Sequence, residues 1–108
     1  MRRHWFFILL SLSAADRHGS GIMRDVLDLT NGEVKLWPVT LYGSLDELRE
    51  QGWIRELARP PADADDNGRK RWFRITAAGR RAVAAELARL QSAVRVAAAR
   101  LAHGAGEA

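Results

Sequence analysis

The apolar positions of the chain fall into helical stretches and one alternating stretch. Trp5, Ile8, Leu9 and Leu12 recur at helical spacing and predict a first helix over about 3–15. His18-Gly19-Ser20-Gly21 breaks it, and Ser20 is the candidate N-cap of a second helix. Ile22, Val26 and Leu29 give that helix one buried face, and Asn31-Gly32 offers the left-handed residues that end it. Residues 33–37 read as a short extended linker. Pro38 suits the first turn of a third helix, where its missing N–H would be unpaired anyway. Leu41, Leu45 and Leu48 form the buried stripe of that helix, and Gly52 stops it.

Two strands are expected next, at 53–57 and 71–75. The proline pair at 60–61 and the Asn67-Gly68 turn signal between them predict a hairpin with a long polar tip. Thr76 caps a last helix that should reach about Leu101. Val83, Leu87, Leu90, Val94, Ala97 and Leu101 follow one another at heptad spacing along it. One small domain cannot bury such a seam alone, so the seam predicts pairing with a second copy. The order of elements is that of an α+β, mainly α, winged helix-turn-helix with a two-stranded β wing and a long C-terminal dimerisation helix. Residues 1–75, with the wing at about 53–75, would form the DNA-binding part and 76–103 the dimerisation helix of a single compact unit.

Composition changes this picture little. The length of 108 residues allows one domain and no separate catalytic one. The absence of cysteine removes disulfides and thiolate metal sites, and a cytoplasmic location is expected. Arg2 and Arg3 before the run Trp5 to Leu10 imitate a secretory signal, but the run is too short to span a bilayer and reads as a buried first helix. Charge is more informative. The net charge is +4, yet residues 1–58 hold seven basic and eight acidic groups. The positive excess lies in the hairpin and the last helix, with Arg69, Lys70, Arg71 and Arg74 in one run. Such residues bind nucleic acid by neutralising phosphates and releasing counterions.

His18-Gly19-Ser20-Gly21-Ile22, Pro38-Val39-Thr40-Leu41-Tyr42-Gly43-Ser44-Leu45 and Leu48-Arg49-Glu50-Gln51-Gly52-Trp53-Ile54 stand in this order, followed by Arg71-Trp72-Phe73-Arg74-Ile75-Thr76-Ala77-Ala78-Gly79. With these segments the sequence resembles the PadR family, whose pattern runs roughly His-Gly-Tyr-Gly-Ile, Gly-Pro-Gly-Thr-Leu-Tyr and Tyr-Tyr-Arg-Leu-Thr-x-x-Gly. The resemblance implies a dimeric winged-helix repressor whose C-terminal helix pairs with a partner subunit. This chain departs from the pattern at Ser20, at Trp37 and Val39 around Pro38, and at Asp46 and Glu47, where the family favours basic residues.

The candidate DNA-contacting residues are Ser20, Lys35, Thr40, Tyr42, Ser44, Arg69, Lys70 and Arg71. The candidate dimer residues are Trp5, Leu9, Val83, Leu87, Leu90, Val94 and Leu101. Partners would be double-stranded DNA bearing an inverted repeat, a second copy of the chain, and a small hydrophobic or aromatic effector between aromatic walls. No cofactor, catalytic set or metal is expected. Asp63-x-Asp65-x-Asn67-Gly68 imitates a calcium loop, but Arg74 stands where its closing glutamate should be. His4, His18 and His103 are scattered. The alternative function is a protein-interaction module that kept the scaffold and lost DNA affinity, favoured by the acidic third helix and Trp37. An enzyme ranks a distant third.

Overall fold

The structure, a computed structural model, describes residues 1–62 and 70–107, and the side chains of the last helix as far as Gly104. Four helices and three strands follow one another: α1 (Arg3–Ala14), β1 (Arg17–His18), α2 (Gly19–Leu29), α3 (Pro38–Glu50), β2 (Ile54–Glu56), β3 (Trp72–Ile75) and α4 (Ala77–Glu107). The architecture is the expected winged helix, mainly α with a small antiparallel sheet.

α1 is a core helix: Ile8, Leu9 and Leu12 are buried in one cluster with Ile22 and Val26 of α2 and with Leu41, Leu45 and Leu48 of α3. From the sheet, Ile54, Phe73 and Ile75 close this cluster. Leu29 was expected beside Ile22 and Val26 but is exposed. α2 ends there, and the chain turns through left-handed Asn31 (φ 52°) and Gly32 (φ 83°). Val34 and Leu36 then come back to the core from the stretch read as a linker. Thr30 holds this return: its hydroxyl oxygen accepts from the Val34 N–H at 2.9 Å.

Ser20 is not the N-cap of α2. His18 occupies the cap with extended backbone, and its Nδ1 accepts from the Gly21 N–H at 3.2 Å. His18 also belongs to β1, which adds a third strand to the wing by pairing with β3. The sheet order is β1-β3-β2. In the hairpin proper Ile54 lies opposite Ile75 and Arg55 opposite Arg74.

α4 starts where the sequence places it. The Thr76 hydroxyl accepts from the Gly79 N–H at 3.1 Å and donates to the Gly52 carbonyl at 2.6 Å. Gly79 is buried, and a Cβ there would collide with the Trp53 carbonyl oxygen and press on Ile75. The first turns of α4 lie on α1, where Arg80 donates to the Ser13 carbonyl at 3.3 Å. From Leu87 to Gly104 every side chain is exposed, and the helix runs on past the expected end at Leu101. The molecule is consequently elongated, 62 × 27 × 25 Å.

Candidate nucleic-acid interface

A helix can enter a DNA groove only if its inward side is fixed. Leu41, Leu45 and Leu48, all fully buried, fix α3. At 3.6 residues per turn the side opposite this stripe carries Val39, Gly43, Asp46 and Glu50, and all four are exposed. Thr40 and Glu47 flank that side on one edge, Tyr42 and Arg49 on the other. Before Pro38, Trp37 is 62% exposed, and the Lys35 ammonium lies 4.7 Å from the centre of its ring. Beside them is a groove of about 270 Å³ lined by Arg3, His4, Glu33, Lys35 and Thr40, among others.

The candidate residues divide accordingly. Lys35 and Thr40 share this groove near the start of α3. Ser20 is exposed on α2, and Lys70 is exposed at the foot of the wing. Arg69 lies outside the described residues, as does the aspartate-rich stretch at 63–66. Ser44 was expected on the open side of α3 and is buried instead, because it lies one residue from Leu45 and within a turn of Leu41 and Leu48. Its hydroxyl donates to the Thr40 carbonyl at 2.8 Å, which satisfies it inside the helix. Tyr42 is half-buried, with its hydroxyl packed over Gly19 and the Arg71 guanidinium above its ring at 5.5 Å.

The wing arginines are also engaged. Arg71 donates twice to Glu56, at 3.1 and 2.8 Å, and Arg49 approaches the same carboxylate at 3.6 Å. Arg74 donates twice to Asp16, at 2.9 and 2.6 Å, joining β3 to the turn after α1. These hydrogen bonds hold both carboxyls below the ordinary carboxylate range, against the opposing effect of partial burial. A carboxyl lowered by folding adds stability that is complete above its unfolded value and disappears as pH falls through the lowered one. The thermal midpoint should therefore drop with acidification below about pH 4, and Asp16→Asn should remove part of that drop. A midpoint with the same acid dependence in both proteins would show that the pair does not act in solution.

Of the candidate dimer residues, Leu9 is fully buried in the core and cannot meet a partner. It belongs to the core cluster that α1 shares with α2, α3 and the sheet. Trp5 is half-buried, its ring edge-on to Trp53 with centroids 6.0 Å apart. Val83 is half-buried against the core. Leu87, Leu90, Val94 and Leu101 are exposed along α4. Val39, half a turn from the leucine stripe, is not among the candidates named from the sequence, yet it is exposed on the open side of α3. Among the described residues, no helix is long and apolar enough to cross a membrane, and no three or more His, Asp or Glu group to hold a metal ion.

Three helices, a grooved third helix with a bare outer side, and a hairpin beside it define a winged-helix protein. The chain matches the family model of the Transcriptional regulator PadR-like family over residues 8–85. It belongs to that family, and so is a transcriptional regulator and not an enzyme. Its fold is similar to that of a transcriptional regulator from Clostridium thermocellum (TM-score 0.71, 21% identity, 85% of this chain and 84% of that one covered). A PadR family regulator from hypervirulent Clostridium difficile is similar to the same degree (TM-score 0.71, 17% identity, 85% and 91% covered). Bacillus subtilis PadR, solved in complex with operator DNA, is also similar (TM-score 0.65, 17% identity), over 80% of this chain and 47% of that one. No curated protein sequence matches the chain.

Proposed function

We propose that the protein is a dimeric, sequence-specific DNA-binding regulator in the cytoplasm, and a repressor released by a small hydrophobic effector. The observation that carries DNA binding is the outer side of α3, bare along its length and next to the wing. The operator complex of Bacillus subtilis PadR supports the same use of this fold. Dimerisation is supported by the exposed leucine and valine seam of α4. An effector would suit the groove of about 320 Å³ between α1 and α4, lined by Met1, Phe6, Phe7 and Leu90 with Arg3 and Glu86 at its edge.

The test is titration of the chain's own upstream DNA and of scrambled duplex at two salt concentrations. Tighter binding to the upstream DNA, weakening steeply with salt, is expected; equal and weak binding to both would sink the proposal. The wing adds a finer expectation. Lys70→Ala should weaken binding to all sequences alike and reduce the salt slope by roughly one, the value of one lost phosphate contact. Arg71→Ala should instead lower the thermal midpoint, because Glu56 loses its two hydrogen bonds. An unchanged slope for Lys70→Ala would place the foot of the wing away from DNA. The second reading, a protein-interaction module, is favoured by Asp46, Glu47 and Glu50 on α3 and by the pairing of Arg71 and Arg74 with carboxylates.

A further inference from the structure

The outer side of α3 has a chemical composition that limits what it can read. Val39 is 88% exposed, more than any other large apolar side chain described. Gly43, one turn on, faces open space, so nothing on the helix there keeps a neighbouring surface at a distance. Asp46 and Glu50 complete the row. None of the four side chains carries a donor: valine offers methyl groups, glycine nothing, and the ionised carboxylates only accept. Three of the donors nearby point elsewhere. Arg49 turns to Asp46 and Glu56, the Tyr42 hydroxyl lies over Gly19, and Ser44 donates within its own helix. Thr40 is on the flank, at the groove shared with Lys35.

In the major groove guanine shows only acceptors, N7 and O6, and needs a donor to be recognised. Thymine shows a C5-methyl group, for which an apolar side chain is the fitting partner. We infer that α3 reads thymine through its methyl group, with Val39 as the contacting residue and Gly43 as the clearance that lets it reach, and that this face reads no guanine. The inference rests on the proposed docking of α3 in the groove. It concerns a residue at which this chain departs from the small residue favoured by its family.

The experiment begins with selection of duplexes from a random library by the full chain. Each thymine of the selected site is then replaced by deoxyuridine, which lacks only the methyl group. At one thymine in each half-site the replacement should weaken wild-type binding about fourfold, the transfer cost of one methyl-sized group. Val39→Ala should bind the unmodified site more weakly and be less sensitive than wild type to deoxyuridine at that position. Val39 is 88% exposed and outside the core cluster, and alanine favours helix, so circular dichroism of the variant should be unchanged. 7-Deazaguanine beside the sensitive thymine should leave binding as it was. A site insensitive to deoxyuridine, a Val39→Ala protein that responds like wild type, or weakening by the neighbouring 7-deazaguanine would each overturn the inference while leaving DNA binding in place. If selection enriches no sequence, the DNA-reading function itself falls, and this inference with it.

Discussion

Replacing Leu87 and Leu90 together by Asp is expected to leave a monomer that no longer binds DNA tightly. Both leucines are close to half exposed in the single chain, at 48% and 42%, so each has apolar surface left to cover. Covering it is worth about 1 kcal/mol per leucine. Four leucines would act in the proposed two-fold dimer, so their loss should weaken association by about a thousandfold. Burying four carboxylates in their place adds further to the cost. Neither leucine belongs to the core cluster, so the winged-helix part should still fold. Sedimentation at micromolar concentration checks the first half, and operator titration the second. A wild-type chain that sediments as a monomer would refute the dimer outright.

Gly79→Ala is expected to destabilise the protein, although alanine is the better helix former. The propensity gain is about 1 kcal/mol at an ordinary helical site. Here the new methyl would meet the carbonyl oxygen of Trp53, a backbone atom also held by the Thr76 N–H at 3.0 Å. That contact cannot be relieved by turning a side chain. Overpacking of this kind costs about 1–3 kcal/mol, and a displaced first turn would disturb the Thr76 cap as well. The net effect should be a loss of up to about 2 kcal/mol, read as a fall of up to roughly 16 °C in the thermal midpoint for a domain of this size. Gly79→Val should fall further. An alanine variant as stable as the wild type would mean that α4 can move away from β2 without penalty.

What could be read in the sequence, and what could not, follows the range of the interactions. The Leu41, Leu45 and Leu48 stripe, the Pro38 start and the Thr76 cap are local patterns, and the fold contains them as read. Val34 and Leu36 were missed because a three-residue apolar return has no period of its own. Ser44 misled because its chemistry suits DNA while its place on the helix wheel, beside Leu45, takes it inside. Ser20 is a common capping residue and His18 is not, yet the strand that ends at His18 sets the position of the cap. The ion pairs that engage Arg71 and Arg74 reach Glu56 and Asp16, the latter 58 residues away. No local pattern announces such partners, so a run of basic residues looked freer for phosphate than it is.

The length of α4 beyond its docked turns has a consequence for the protein's lifetime. A helix with no packed face is only marginally stable in water, since most helical stability comes from tertiary contact. Within one chain every residue from Leu87 to Gly104 is exposed, although Leu90 still lines the groove beside α1. An unpaired copy would fray from this end and present an unfolded tail to cellular proteases, which attack such locally opened segments. A paired copy would not. The regulator would then be degraded fastest when it is scarce, and its abundance would pass between low and high levels more sharply than its synthesis does.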